Sequence, residues 1–189
     1  LITGPGVTNA ATGLAGALAD SVPVLAVSSA GDRATLGYGD GHLHELPDQR
    51  ALMAGCTRLA LQLNAAADVR TLADRAVAAL RAGRPGPVHL QAPIDVLAEP
   101  APEGPPLPPA APAPAPDPAA IERLAAALAS ARRPVLLLGG GAVDAGDAAR
   151  ALAELLDAPV VTTLAGKGTV AETHPLSLGA TLPMAPTRS

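Results

Sequence analysis

A proline- and alanine-rich segment near the middle of the chain limits its fold more than any other feature. Residues 99–118 read EPAPEGPPLPPAAPAPAPDP and show no hydrophobic periodicity. Proline lacks a backbone N–H and fixes its own φ, so this composition favours extended, polyproline-like backbone and cannot build a packed element. The sequence therefore predicts two domains, residues 1–97 and 118–189, joined by a linker over residues 98–117.

On both sides of this linker, short apolar runs alternate with amphipathic patterns that predict helices. The expected strands are VPVLAVSS, TRLALQLN, PVHLQAP, PVLLLGGG and PVVTT, and the expected helices are VTNAATGLAGALAD, DVRTLADRAVAALRAG, DPAAIERLAAALASA and AGDAARALAELLD. Strands without polar alternation are typical of parallel sheets covered by helices. The pattern predicts an α/β fold with a parallel, helix-covered sheet in each domain. Because the sequence begins at LITGPG, as if inside a strand, we expect both domains to be partial pieces of a longer protein.

Composition and charge exclude several classes of function. The net charge is −4, with a single tyrosine and no phenylalanine or tryptophan, so the basic patch and stacking rings of a nucleic-acid-binding protein are missing. The single cysteine, Cys56, permits neither an internal disulfide nor a cysteine-rich zinc site. No apolar run reaches membrane length and nothing resembles a signal peptide. We therefore expect a soluble cytoplasmic protein without nucleic-acid or membrane partners.

The glycine-rich stretch TGPGVTN, residues 3–9, is a candidate binding turn between a strand and a helix. Glycine permits positive φ and close approach of a ligand to the backbone, and the start of a helix offers free N–H groups. Asn9 in the first turns could donate or accept a hydrogen bond at a ring edge. On these residues alone, a plain strand-to-helix turn remains the alternative.

A second glycine-rich stretch, LLLGGGAVDAG at residues 136–146, raises the alternative of a non-enzymatic nucleotide-binding module that uses the glycines at 139–141. It lacks the G-x-G-x-x-G spacing of a dinucleotide loop, and Asp144 and Asp147 would repel an anion at the helix start. Lys167 in GKGTVAETHP is not followed by Ser or Thr, so we expect a surface or cleft loop there and no P-loop.

The stretch YGDGHLHELPDQ, residues 38–49, concentrates polar groups. Asp40, His42 and His44 could share one side of an extended segment, and Asn64 follows Asp40 by 24 residues. A divalent-metal loop at residues 40–45 is one interpretation, but no further His or Cys nearby completes a ligand shell. A solvated loop is the other.

Several segments, taken together and in order, resemble the thiamine-diphosphate-dependent enzymes of the acetolactate synthase group. They are LITGPGVTNAATGLAGALADSVPVLAVSS, LHELPDQ, ALRAGRPGPVHLQAPIDV, RRPVLLLGGGAV and APVVTTLAGKGTVAETHPLSLG. The resemblance implies that residues 1–97 are the second part of a pyrimidine-binding domain and that residues 118–189 begin a middle, nucleotide-fold domain. It implies a third domain, outside this sequence, that binds the diphosphate through Mg²⁺.

The resemblance also assigns site residues. Pro5, Gly6 and Asn9 match residues that pack around the aminopyrimidine ring, and Gly4 matches a turn requirement. His44 or Glu45, depending on a one-residue register choice, matches a polar residue that approaches the coenzyme from the neighbouring subunit. The family's own GDG motif lies in the third domain, so the GDG at residues 39–41 is interpreted as a lookalike. The glutamate that activates the coenzyme is expected upstream of Leu1, and we name no catalytic residue.

The implied activity is that of a 2-keto-acid decarboxylase or carboligase, a lyase or transferase that forms an enamine on thiamine diphosphate. Relatives assemble as homodimers or homotetramers with sites between subunits, so we expect this piece alone to be inactive. Members that make acetolactate often hold FAD, but the segment after HPLSLG reads ATLPMAPTRS, without the usual glycine. An FAD site and an empty, vestigial one both stay open.

Overall fold

The computed structural model describes the chain apart from a few short stretches, and it divides into two compact units, Leu1–Pro112 and Ala113–Ser189. The described residues are 1–81, 83–101, 103–104 and 115–181. Most of the expected linker lies outside the described residues, as do residues 182–189, which make up all but the first two positions of the ATLPMAPTRS segment on which the FAD interpretation depends. The domain bounds inferred from sequence therefore stay a prediction, and each unit is described by itself.

The first unit is built on a parallel sheet with strand order β1-β3-β2. Its strands are β1 (Leu25–Ala30), β2 (Leu59–Gln62) and β3 (Val88–Pro93), and its helices are α1 (Pro5–Ala19), α2 (Gln49–Ala54), α3 (Val69–Arg81) and α4 (Ile94–Leu97), with a 3-10 turn at Ala66–Asp68. Residues Leu1–Thr3 run beside β1, because Leu1 N donates to Val27 O at 2.7 Å and Ser29 N donates to Leu1 O at 3.0 Å.

The central strand β3 is buried at every position, and its two faces have different chemistry. On one face Val88, Leu90 and Ala92 pack with Leu72 and Ala76 of α3 in an apolar cluster. Since α3 carries its apolar residues on one stripe, burying that stripe against the sheet stabilises both elements. The other face of β3 carries His89 and Gln91, and it lies on the side of the unit that holds the candidate site.

The second unit holds another parallel sheet, with strand order β4-β5-β6. Its strands are β4 (Leu136–Leu138), β5 (Val160–Thr163) and β6 (Ser177–Thr181), its helices are α5 (Pro118–Ser130) and α6 (Gly146–Leu156), and 3-10 segments span Gly140–Ala145 and Leu164–Gly166. Ala153 of α6, Val160 of β5 and Val170 form its buried core. Asp117 caps α5, because its carboxylate accepts from Ala119 N at 3.1 Å at the start of that helix.

The α/β prediction with parallel sheets is confirmed, but the helical cover is thinner than the sequence suggested. In the first unit Leu25 and Val27 of β1 are each nearly half exposed. In the second unit Leu137 is 66% exposed, and none of the residues of α5 is buried. The apolar side chains of Ile121 and Leu124 on α5 are exposed and face solvent within this unit.

Helices α2 and α4 and strand β6 were not predicted from the sequence. Helix α2 has six residues and follows the Asp48 cap, whose carboxylate accepts from Ala51 N at 2.8 Å. It is too short for a periodic apolar pattern to show. Strand β6 lies beyond the predicted loop GKGTVAETHP, in a segment that carries glycine and serine. Among the described residues, no helix is long and apolar enough to cross a membrane.

Close packing in the second unit predicts a strong effect at Gly166. A Cβ placed there would overlap the carbonyl group of Leu138, whereas a Cβ at Gly141 would meet open space. Because backbone cannot move aside as a flexible side chain can, we expect Gly166→Ala to lower the free energy of unfolding by about 1–3 kcal/mol. Gly141→Ala should change it by less than about 1 kcal/mol. Urea unfolding followed by circular dichroism measures both, and equal midpoints would contradict the packing.

Candidate functional site

The glycine-rich turn lies at the carboxyl end of the first sheet. Residues Leu1–Thr3 run alongside β1, and Gly4 then caps α1, so the chain turns where the parallel strands end. In open α/β sheets, ligands bind in the crevice outside the carboxyl ends of the strands. The residues that the sequence singled out at positions 4–9 therefore occupy the edge of the sheet at which a ligand is expected.

Gly4 has a conformation and a neighbour that both require glycine. Its φ is 65° and its ψ is −112°, in a region that side chains rarely adopt. A Cβ at this position would overlap the His44 carbonyl oxygen and lie 2.8 Å from the His44 Cβ. The structure thus brings together Gly4 and His44, two predicted site residues that are 40 positions apart.

The backbone donors of this turn are mostly occupied. Gly4 N donates to the Gln49 side-chain oxygen at 3.0 Å, and Pro5 has no N–H. Val7 N and Thr8 N both donate to Gly4 O at 3.0 Å. A helix start that holds a phosphate offers several free N–H groups, so this turn is poorly suited to an anion.

The remaining donors of the turn are few and neutral. Within the described residues Gly6 N has no partner, and Asn9 is exposed one turn further along α1, as is Pro5 at its start. A Cβ at Gly6 would lie 2.5 Å from Ile2 Cγ2, so a larger residue there would have to displace the exposed Ile2 side chain. One amide N–H, one carboxamide and an apolar proline ring suit the edge and face of a neutral heteroaromatic ring.

The loop that precedes His44 is organised by Glu45. Its carboxylate accepts hydrogen bonds from Gly39 N and Gly41 N at 2.8 Å and from His42 N at 3.0 Å. These hydrogen bonds hold the pKa of Glu45 below its usual 4.5, and the bond from Gly39 has the largest effect. The carboxylate is therefore committed to the loop. Of the two residues left open by the register choice, His44 is the one beside the glycine turn.

Asp40, in the GDG lookalike, and Asn64, 24 residues later, do not share hydrogen-bond partners within the described residues. Asp40 is exposed. Asn64 accepts from Gln62 Nε2 at its side-chain oxygen, at 2.8 Å, and from Arg33 Nη1 at its carbonyl, at 2.7 Å. Across the part of the chain that the structure describes, no group of three His, Cys, Asp or Glu side chains could hold a metal ion.

Gln49 is the residue that sequence reasoning missed. It is 4% exposed at the start of α2, and its Oε1 accepts from Thr3 Oγ1 at 2.9 Å as well as from Gly4 N. Its Nε2 donates to Ser29 O at 3.0 Å and to Gln91 Oε1 at 3.2 Å. The available signal was the pair His89 and Gln91, two residues apart in an apolar strand, which indicates a buried polar face that needs partners.

His89 lies on the same face and is fully buried. Its Nε2 is 2.8 Å from Ser28 Oγ, and its Nδ1 has no partner in the described residues. Burial lowers the pKa of His89 to about 4, so the ring is neutral at pH 7.

Arg33 forms ion pairs at the carboxyl edge of the first sheet. Arg33 Nε contacts Asp95 Oδ2 at 2.6 Å, and Arg33 Nη2 contacts Glu99 Oε1 at 2.5 Å. Glu99 also accepts from Ala66 N at 2.9 Å. This bond lowers the pKa of Glu99 most, and the bond from Arg33 lowers it further. Glu99, which the sequence placed in the linker, is therefore tied to the first unit.

Two glycines of the segment 136–146 are closely packed, Gly140 and Gly146, whereas a Cβ at Gly141 would meet open space. A Cβ at Gly140 would lie 3.2 Å from the Ala165 Cβ, and a Cβ at Gly146 would lie 2.6 Å from Thr169 O. Asp144 and Asp147 line the adjoining open cleft. These contacts account for Gly140 and Gly146 by packing but not for Gly141, and the nucleotide-binding alternative stays a prediction.

The network around Glu45 predicts a pH-dependent loop. The lowered pKa means that the loop is held while the carboxylate is charged and is released as pH falls through the folded-state pKa, below 4.5. We expect Glu45→Gln to shift the amide proton resonances of Gly39, Gly41 and His42 upfield at pH 6, toward unbonded values. Asp40→Asn, which removes the same charge in the same loop, is the control. Unchanged resonances in Glu45→Gln would contradict the assignment.

The buried His89 predicts a loss of stability in mild acid. Its folded-state pKa of about 4 lies below the unfolded value of 6.5, so its contribution is complete above pH 6.5 and declines as pH falls toward 4. Between pH 7 and pH 5 this group alone should lower the free energy of unfolding by about 2 kcal/mol. His89→Gln should remove that part of the pH dependence in urea unfolding, whereas His42→Gln, at an exposed position, should not. Identical pH dependences would contradict the prediction.

Comparison with known proteins gives consistent matches along the chain. The model of the thiamine pyrophosphate enzyme N-terminal TPP binding domain matches residues 1–52, and that of the central domain matches residues 121–189. The chain is 45% identical to a probable 2-ketoarginine decarboxylase of Pseudomonas aeruginosa, over 98% of this chain and 34% of that protein. It is 37% identical to a probable acetolactate synthase large subunit of Methanocaldococcus jannaschii, over 94% of this chain and 31% of that protein.

A solved structure agrees with these matches. A candidate thiamin diphosphate-dependent enzyme isolated from Mycobacterium smegmatis aligns with a TM-score of 0.81 and 27% identity, over 95% of this chain and 35% of that one. The chain thus spans about a third of the length of the curated relatives that it matches. By these matches, the chain belongs to the thiamine pyrophosphate enzyme family and carries sequence of its N-terminal and central domains.

Proposed function

We propose that the whole protein is a thiamine-diphosphate-dependent enzyme that decarboxylates a 2-keto acid, acting as a lyase or, with an acceptor, as a carboligating transferase. One observation carries the proposal. In a chain of this family, a glycine turn with few, neutral donors lies at the carboxyl edge of the sheet beside His44. In this proposal residues 1–97 belong to the pyrimidine-binding domain, 98–117 to the linker and 118–189 to the middle domain.

The turn fits the aminopyrimidine half of the coenzyme. Gly6 N–H and the Asn9 carboxamide are placed to hold ring-edge atoms, and Pro5 offers an apolar surface. Gly4 admits the His44 backbone next to the turn. In this proposal the turn and the His44 imidazole approach the same coenzyme from one subunit, and the neighbouring subunit holds its diphosphate. When bound, thiamine diphosphate supplies the electron sink that lets a 2-keto acid lose carbon dioxide. The residues of this chain bind and orient the ring.

The proposal includes Mg²⁺ and leaves out FAD. We assign Mg²⁺ and the diphosphate to a further domain of the whole protein, because the free donors of the Gly4 turn are too few for a doubly charged anion. FAD is not part of the proposal. The residues that would decide it lie outside the described ones.

The identity pattern suggests which substrate to test first. Identity to the probable 2-ketoarginine decarboxylase is 45%, against 37% to the probable acetolactate synthase subunit. We therefore place 2-ketoarginine first among the 2-keto acids to test as donor. A homodimer or homotetramer in the cytoplasm is the expected setting. The loop residues Tyr38 and Leu43, 73% and 84% exposed, are apolar surface that a second subunit would cover.

The test uses the whole protein. Isothermal titration with thiamine diphosphate and Mg²⁺ should show binding, and the loaded protein should release carbon dioxide from 2-ketoarginine or another 2-keto acid. No binding at millimolar coenzyme would refute the proposal. The 189-residue chain alone should be inactive.

A single substitution tests the role of the turn. Asn9→Ala removes one neutral hydrogen bond to the ring and should weaken coenzyme binding about three- to tenfold. Thr12→Ala, an exposed change on the same helix, is the matched control and should leave affinity unchanged. Equal affinities for the two variants would remove Asn9 from the site.

A further inference from the structure

We propose that Gln49 is the positioning residue of the coenzyme turn and that an aligned chain of carboxamides, buried at Gln49 and Gln91, half-buried at Gln62 and exposed at Asn64, fixes its orientation. The inference rests on the proposed function, since it assigns a role toward the coenzyme. Gln49 does not reach the exposed surface of the turn, because its side chain is 4% exposed and lies beneath Thr3 and Gly4. It acts through the backbone that it holds.

The carboxamides are joined head to tail across the sheet. Gln49 Nε2 donates to Gln91 Oε1 at 3.2 Å, Gln91 Nε2 donates to Gln62 Oε1 at 2.7 Å, and Gln62 Nε2 donates to Asn64 Oδ1 at 2.8 Å. Each of the three glutamines accepts a bond on the side toward Gly4 and donates one to the next carboxamide toward β2. Hydrogen-bonded chains of this kind polarise each other and are strengthened in a low-dielectric interior.

The backbone of the turn determines the direction of the chain. Gly4 N–H can only donate, so Gln49 must present its oxygen there and its NH₂ group toward the sheet. Gln91 must then present its oxygen to Gln49 and its NH₂ group to Gln62, so Gln62 must present its oxygen to Gln91. A single backbone donor at the coenzyme turn therefore orients three side-chain amides, and the amides in turn hold that donor in place.

A second set of bonds fixes the turn to β1. Gln49 Nε2 also donates to Ser29 O at 3.0 Å, and Thr3 N donates to Ser29 Oγ at 3.1 Å. Both sides of the Thr3–Gly4 segment are thus tied to the sheet through Ser29 and Gln49. With Gly4 N–H satisfied inside, Gly6 N is left as the outward donor, and Gly4 stays in contact with His44.

Loss of the Gln49 carboxamide should therefore weaken coenzyme binding without changing the rate of the chemical step. Gln49→Leu leaves Gly4 N–H and Gln91 Oε1 buried without partners, which favours a rearranged turn. In the whole protein we expect the Kd and KM for thiamine diphosphate to rise at least tenfold. At saturating coenzyme, kcat should stay within about twofold of the wild type, since a positioning residue affects occupancy of the site.

Asp48→Ala is the matched control because it weakens the same helix without entering the network. It removes the bond from Ala51 N to the Asp48 carboxylate at 2.8 Å. We expect it to lower Tm while leaving coenzyme Kd unchanged. Equal rises in Kd for Asp48→Ala and Gln49→Leu would overturn the proposal, as would an unchanged Kd in Gln49→Leu. A wild-type protein that binds no coenzyme would instead refute the proposed function.

Gln49→Glu keeps the proposal falsifiable if the leucine variant does not fold. A carboxylate there can accept from Thr3 and Gly4 but cannot donate to Ser29 O or Gln91 Oε1, whereas a protonated carboxyl group can donate once. Burial raises the pKa of a carboxyl group, so affinity relative to the wild type should recover as pH falls from 8 to 6. A ratio of affinities that is constant over this range would overturn the proposal.

Discussion

The hydrogen bonds that tie residues 1–4 to β1 and α2 are the constraint on which the rest of the first unit depends. They place a helix start at the carboxyl edge of the sheet, and they use up Gly4 N–H in doing so. A turn with its first amide directed inward cannot surround an anion, but it can present a single donor to a ring. The ligand preference of the turn thus follows from what its backbone already bonds.

The sequence predicted the fold well where apolar content decides it. The apolar residues of β3, Val88, Leu90 and Ala92, lie between two prolines in the sequence, and such a short bounded run is visible without knowledge of the tertiary structure. Helix α2 was missed because a cap and the Gln49 network stabilise it, and six residues show no period. Exposure of α5 was also unpredictable, since amphipathicity indicates which face can be buried but not whether something covers it.

The site was predictable only in part, for a related reason. Gly4 was found because a strand-to-helix turn that needs glycine is recognisable from neighbouring residues in the sequence alone. Gln49, Gln91 and His89 were missed because their roles depend on register: Ser28 is the β1 partner of Gln91 in the parallel pairing, and Gln49 comes from a separate helix. Polar residues in an apolar strand indicate a buried network, but only the fold identifies its members.

The GDG segment shows how a misleading motif can still have a physical basis. Its glycines have positive φ, 76° at Gly39 and 79° at Gly41, and the amides of this loop converge on one point, as they would around a phosphate. The anion at that point is the Glu45 carboxylate, from the same loop. Since the nest already holds a negative charge, a diphosphate would have to displace Glu45 and meet Asp40 beside it. The segment therefore serves to hold the loop that places His44 next to Gly4.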